Sequence, residues 1–243
     1  MKLLITSDWH LDFYTAGLER HHDVAAAVEY TVEKAEAEKV DHYLFLGDLA
    51  DPGVPAIAAV TWALWTAGKL ARKGIESWWL AGNHDVIEDG RGTTTLSPLA
   101  AAGIEGVTVC EKPGHFSLQT AATNGWIDLI TLPYQARSSP TWEDPEHAVA
   151  KAREHGTARV CIVAGHLMLP GMHPGSESTD MPRGRDIPFP LAAAKVIPGV
   201  QLFNGHYHRQ QVTPDGVQIP GSLARLTFGE EQNTPAFLIV ELA

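Results

Sequence analysis

Five short apolar runs in this chain each stop at an aspartate, asparagine or histidine, and no other feature limits the possible folds so tightly. KLLIT (2–6) is followed by Ser7-Asp8-Trp9-His10, and HYLFL (42–46) by Gly47-Asp48. ESWWL (76–80) leads through Ala81 into Gly82-Asn83-His84-Asp85. RVCIVA (159–164) gives way to Gly165-His166, and VQLFN (200–204) to Gly205-His206-Tyr207-His208. Runs this short and this rich in aliphatic and aromatic residues read as strands covered on both faces. A sixth, IDLITL (127–132), has the same character. Four of the five polar exits pass through glycine, which permits a tight turn.

Two helix-like stretches separate the first three runs. One covers about 23–39, with Asp23 placed to cap its amino end. The other covers about 55–73, with Pro55 in its first turn and Gly74 at its end. This β-α-β-α-β order predicts parallel strands joined by right-handed crossovers. Parallel strands bring their carboxyl ends to one edge, where open α/β sheets bind ligands. The polar exits are therefore expected to converge.

The chemistry of the converging groups points to metal. Carboxylate, amide oxygen and imidazole, without thiolate, suit a hard-to-borderline divalent ion. Asp8 and His10 alternate, as do His206 and His208, so each pair points one way on extended backbone. Seven such groups exceed the needs of one ion and match two ions sharing a carboxylate, ~3.5–4 Å apart in known two-metal sites. Turn chemistry explains any one exit taken alone; it does not explain five together.

Toward the carboxyl end, residues 210–242 alternate short strand-like pieces with Pro-Asp-Gly, Pro-Gly and Asn-Thr-Pro, which predicts antiparallel hairpins. Residues 169–190 read as a long polar loop, a kind of segment that is often functional. With no repeat, heptad pattern or linker, a single domain over 1–243 is expected. The net charge of −11 sets the surface at large against polyanions. No apolar run approaches the ~20 residues that span a bilayer, and the start MKLLIT reads as a first strand, not a signal peptide. Cys110 and Cys161 lie in apolar runs outside any C-x-x-C motif, which suggests a reduced, cytoplasmic setting.

In this order, D-x-H, G-D, G-N-H-D, G-H and G-H-x-H resemble the calcineurin-like metallophosphoesterase superfamily across residues 8–208. SDWHLD, GDLAD and the closing PGSLARLTFGEE look like the branch of SbcD-type DNA repair nucleases, the last through Gly221, Ser222, Arg225, Phe228, Glu230 and Glu231. The resemblance implies an α/β fold of four layers, two mixed β-sheets in a sandwich flanked by helices. It implies that Asp8, His10 and His208 hold one metal, that Asn83, His166 and His206 hold the other, and that Asp48 bridges them. Mn²⁺ is the expected ion, with Fe²⁺, Zn²⁺ or Mg²⁺ as alternatives.

By the same resemblance His84 contacts the scissile phosphate or protonates the leaving oxygen, and Asp85 orients His84. The implied reaction is in-line attack on phosphorus by a metal-activated water. The implied activity is that of a DNA nuclease, exonuclease or endonuclease, completed by a partner ATPase or by a second copy of the chain. No DNA-capping domain is expected after the catalytic core within these 243 residues. A phosphatase or phosphodiesterase for nucleotides or other small phosphoesters is the alternative that better suits the acidic surface. A non-catalytic scaffold with this fold is disfavoured, because all seven ligands and His84 are present.

Further candidates lie outside the motifs. Asp51, three residues after Asp48, is placed to touch substrate or water. Arg183 and Arg185 in PRGRD, and Arg137 after the sixth strand, are cations that can reach a substrate phosphate; His173 shares the long loop. His21 and His22 read as solvent-facing, and the tryptophans, Trp9 included, as packing residues.

Overall fold

Alternate side chains of KLLIT enter different cores, Leu3 and Ile5 one and Leu4 another. The computed structural model of the chain describes residues 1–51, 57–87, 91–119, 126–137, 139, 142–156, 160–169, 172–173 and 187–242. In chain order the strands are β1 (Lys2–Thr6), β2 (Tyr14–Thr15), β3 (Leu18–Glu19), β4 (His42–Phe45), β5 (Glu76–Leu80), β6 (Val107–Cys110), β7 (Gly114–Gln119) and β8 (Trp126–Leu132). They continue with β9 (Val160–Gly165), β10 (Val200–Asn204), β11 (Gln211–Val212), β12 (Val217–Ile219) and β13 (Leu238–Glu241). The helices are α1 (His21–Ala37), α2 (Ile57–Arg72), α3 (Ser97–Ala101), α4 (Pro145–His155) and α5 (Leu191–Lys195).

Two large sheets form, in the orders β13-β1-β4-β5-β6 and β11-β12-β10-β9-β8-β7. In the first, β1, β4, β5 and β6 run parallel and β13 antiparallel. In the second, β8, β9, β10 and β12 run parallel, flanked by antiparallel β7 and β11. Both sheets are mixed.

The period-2 alternation of strands explains the layering. Leu3, Ile5, Leu44, Leu46, Trp78 and Leu80 face Leu129, Ile162, Ala164 and Phe203 between the sheets. Leu4, Tyr43, Phe45 and Trp79 point the other way, against Val24, Val28 and Val32 of α1 and Ala63, Ala67 and Leu70 of α2. Ile130, Leu132, Val163 and Leu202 point outward from the second sheet, against Val149 and Ala152 of α4 and Ala194 of α5. Helices, sheet, sheet and helices therefore make four layers, with each central strand buried on both faces. Fully burying one such Leu, Ile or Val contributes ~1.5–3 kcal/mol.

Some local expectations change. Helix α1 begins at His21, and Arg20 at its amino end makes no side-chain cap; Asp23 instead pairs with Arg20 across 2.9 Å. His21 is half-buried, its Nδ1 2.9 Å from the Leu11 carbonyl, while His22 is exposed as expected. Pro55 lies outside the described residues, and α2 is described from Ile57.

The carboxyl-terminal hairpins reduce to one, β11–β12, around Asp215-Gly216. Strand β12 then pairs parallel with β10, and β13 crosses to the first sheet beside β1. Between them, residues 221–237 form no strand; a short 3₁₀ turn at Phe228–Glu230 interrupts the path. Side-chain bonds to backbone hold that segment, among them Ser222 Oγ to the Ala224 carbonyl (2.7 Å) and Arg225 Nε to the Asn233 carbonyl (2.7 Å).

Candidate metal centre

Register brings the strand ends level. Thr6 pairs with Phe45 and Phe45 with Trp79 in the first sheet, and Asn204 pairs with Gly165 in the second. The turns that follow are tied to one another by backbone hydrogen bonds: Asp8 N to Gly47 O (2.9 Å), His10 N to Asp48 O (3.1 Å) and Gly205 N to Gly165 O (2.9 Å). His166 Nδ1 bonds the Leu46 carbonyl across the interface between the sheets.

Backbone strain concentrates here. Asp8, His10, Asp48 and His206 adopt left-handed conformations, with φ of 54°, 44°, 60° and 75°. Such a conformation costs of order 1–3 kcal/mol at a non-glycine residue and persists only where surrounding structure enforces it. Gly82 is required for space: a Cβ there would collide with the Asp48 carboxylate. Gly47 has φ 103°, and a Cβ on it would lie 2.8 Å from the Gly82 backbone.

All seven expected ligands come together. Asp8, His10 and His208 offer ligand atoms within 4.8 Å of one another, and so do Asp48, His166 and His206. Asn83 Oδ1 lies 3.1 Å from His166 Nε2 and 2.9 Å from His206 Nδ1. Asp48 Oδ2 stands 3.3 Å from His166 Nε2 and 3.7 Å from His10 Nε2, so this carboxylate lies between the two groups. His10 Nε2 and His208 Nε2 approach to 3.1 Å.

This arrangement fits a pair of cations. Asp8 is wholly buried, and neither carboxylate oxygen has a hydrogen-bond partner among the described residues. An unpaired buried carboxylate is costly, and a cation is the partner its surroundings admit. Burial raises the Asp8 pKa. At Asp48 burial acts in the same direction, but His166, His84 and His10 outweigh it and hold the carboxyl well below its usual range. Burial opposes charge on His166, yet Asp48 lifts its pKa to about 9. Burial and then His166 push His206 down to about 3, which leaves it a neutral donor.

His84 sits at the edge of the cluster, a quarter exposed, with its ring 4.9 Å from that of His10. Its backbone N–H donates to Asp48 Oδ1 (2.9 Å). Burial disfavours its charge, but the Asp48 and Asp51 carboxylates prevail and raise its pKa, as suits a proton donor.

The expectation that Asp85 orients His84 fails on geometry. Asp85 is fully buried, and its carboxylate accepts from Asp48 N (2.8 Å), Leu49 N (3.0 Å), Gly82 N (2.8 Å) and the Thr95 hydroxyl. Its oxygens are occupied in fastening the turn after β5 to the turn after β4. Asp51 faces His84 instead, with Oδ1 3.6 Å from His84 Nδ1 and 3.5 Å from His10 Nδ1.

Sequence reasoning also missed what Glu230 touches. It is wholly buried, with Oε1 2.7 Å from His208 Nδ1 and Oε2 accepting from Leu226 N (2.7 Å). The PGSLARLTFGEE segment thus reaches back to a candidate ligand. Trp9 is a core residue, against Phe45 and Trp79 with its indole N–H on Thr6. Arg183 and Arg185 lie outside the described residues. His173 is exposed, with its backbone N–H on Gln211, and Arg137 is exposed.

A family model for calcineurin-like phosphoesterases matches residues 1–210. The SbcD component of the SbcCD nuclease from Escherichia coli K12, and its counterpart from O157:H7, are each 27% identical over 252 residues, covering 95% of this chain and 62% of the relative. The chain thus spans less than two thirds of the length of these relatives. A dimetal phosphatase from Danio rerio superposes with a TM-score of 0.55 at 12% identity, covering 98% of this chain and 91% of that one. A Thermus thermophilus protein gives 0.52 at 14% identity, covering 91% and 89%. At such identities the two solved structures speak to the fold alone.

Proposed function

This chain belongs to the calcineurin-like phosphoesterase family and is a phosphoester hydrolase, and from that premise we propose that it is a two-metal phosphodiesterase whose substrate is DNA. The observation that carries the proposal is the placement of Asp48 between two clusters of ligand atoms, beside the unpaired buried carboxylate of Asp8. Asp8, His10 and His208 would hold one ion, Asn83, His166 and His206 the other, and Asp48 both. The ions, Mn²⁺ in this proposal, supply Lewis acidity that lowers the pKa of water and offsets charge on phosphoryl oxygens.

The chain's own residues do the rest. His84 holds a proton for the leaving oxygen, and Asp51 keeps the ring aimed and charged. Asp85 fixes the spacing between Asp48 and Asn83, and Glu230 sets the His208 ring with Nδ1 toward the carboxylate and Nε2 toward the metal position.

DNA is favoured as substrate by the likeness to a nuclease component over 95% of the chain. Those relatives are parts of a larger nuclease, so a partner ATPase or a second copy of this chain belongs to the proposal. A cytoplasmic setting agrees with two free, buried cysteines, and no helix among the described residues is long and apolar enough to cross a membrane. The net charge of −11 favours a second reading, hydrolysis of nucleotides or other small phosphoesters.

One experiment separates the readings. Chelator-stripped protein supplemented with Mn²⁺ is assayed on bis-p-nitrophenyl phosphate, on labelled single- and double-stranded DNA, and on a nucleotide panel. Cleavage of DNA supports the first reading. Intact DNA beside cleaved small esters establishes the second, and no turnover with any metal overturns both.

A further inference from the structure

A cavity of about 430 Å³, within the size range of small-molecule sites, lies between two segments that are anchored close in sequence to candidate metal ligands. Arg137, Trp142, Pro145, Glu146 and Pro188 line it. One wall is the loop leaving β8, and the other is the segment that runs beside the exit from β9. Both walls are anchored next to candidate ligands. Tyr134 N donates to the Ala81 carbonyl (2.8 Å), two residues before Asn83. Met168, two residues after His166, donates to the Ile187 carbonyl (3.0 Å) and accepts from Phe189 N (2.8 Å).

The cavity is built rather than incidental. Gln135 is buried, and its amide clamps the backbone of Glu143 from both sides, Nε2 to O and Oε1 to N, each 3.2 Å. That clamp fixes the segment bearing Trp142 against the segment bearing Arg137. Trp142 remains 37% exposed, and Arg137 is exposed as well.

An indole and a guanidinium lining one cavity are the combination that takes a base and a phosphate of single-stranded nucleic acid. Acidic groups refine the choice of ligand. Asp144 accepts from Glu146 N and His147 N, so its charge is engaged by the start of α4, but Glu146 remains close by. Among the described lining residues, one cation among carboxylates suits the single charge of an internal phosphodiester better than a multiply charged terminal phosphate.

We propose that this cavity is a subsite for one nucleotide of the substrate strand next to the scissile bond, its base against Trp142 and its diester phosphate on Arg137. The inference rests on the phosphodiesterase reading and names the substrate class of that same site: single-stranded or unpaired polynucleotide rather than mononucleotide.

The test separates binding from turnover. A fluorescein-labelled single-stranded oligonucleotide of about ten residues is titrated with the full chain in chelator, read by anisotropy. Trp142→Ala and Arg137→Ala are each expected to raise Kd about tenfold or more, with Trp142→Phe restoring affinity through its remaining ring. ATP in excess is expected not to displace the oligonucleotide. With Mn²⁺ added, the two alanine variants should lower the ratio of kcat/KM for the oligonucleotide to that for bis-p-nitrophenyl phosphate. Unchanged Kd and ratio in both variants, displacement by ATP, or no oligonucleotide binding by the wild-type chain would overturn the subsite. A Kd shift without Mn²⁺-dependent cleavage of either substrate upholds the subsite and overturns the activity.

Discussion

Glu230 and His208, 22 residues apart in sequence, meet through a 2.7 Å contact between Oε1 and Nδ1 in a pocket closed to solvent. A carboxylate on one imidazole nitrogen fixes the tautomer and directs the other at a metal. Glu230→Ala should therefore weaken binding of one of two Mn²⁺ ions about 10–100-fold while leaving the other in place. Glu230→Gln, whose amide oxygen still accepts from Nδ1–H, should retain most of that affinity. Calorimetric titration of metal into the stripped protein measures both.

His84→Ala should keep full metal content by elemental analysis and lose about 10²–10⁴-fold in kcat, the range for a missing proton donor. Asp51→Asn should lose less in kcat and move the alkaline limb of the profile, on which His84 loses its proton, to lower pH, because one of the carboxylates that raise its pKa is gone. The pH–rate profile reads that shift.

Asp85→Ala is expected to behave unlike His84→Ala. It leaves the N–H groups of Asp48, Leu49 and Gly82 without their acceptor, at about 1–3 kcal/mol for each donor left buried and unmet. The melting temperature should fall, and metal affinity with it. If Asp85→Ala melts like wild type and loses only turnover, its fastening role is wrong.

In the proposed metal site, Asp8 would trade stability for function. Asp8→Asn removes an unpartnered buried charge, so the metal-free protein should melt higher than wild type. The same variant should lose most of the stabilisation that Mn²⁺ confers, which for wild type reaches about 2.7 kcal/mol per site at 100 times Kd. Differential scanning calorimetry with and without chelator checks both signs.

Burial pushes the thiols of Cys110 and Cys161 up to about 12, so neither ionises near neutral pH in the folded chain. Ellman's reagent at pH 8 should register no fast thiol in native protein and both after denaturation in guanidinium.

The strand ends were legible because the signal is local: an apolar run, a turn residue and a donor follow one another in the chain. The four layers were expected from the family resemblance alone, and alternation within those same runs accounts for them, since Leu4 and Ile5 face different cores. The role of Asp85 was not legible, because the direction of a side chain in a turn depends on which backbone N–H groups a neighbouring strand supplies. Glu230 was visible as part of a pattern, but not its contact, which needs the chain to return after 22 residues. The parallel pairing of β12 with β10 was hidden for a related reason: its turn residues announce a hairpin with β11 and say nothing about the strand on the other side.

Asp8, His10, Asp48 and Asn83 leave one sheet of the sandwich, whereas His166, His206 and His208 leave the other. Each cluster draws on both, so two ions bound as proposed would act as a rivet through the seam between the sheets. Any slip of one sheet over the other would spread such ions apart, and residues as remote as Phe203 or Trp78, packed in that seam, would help to set their spacing.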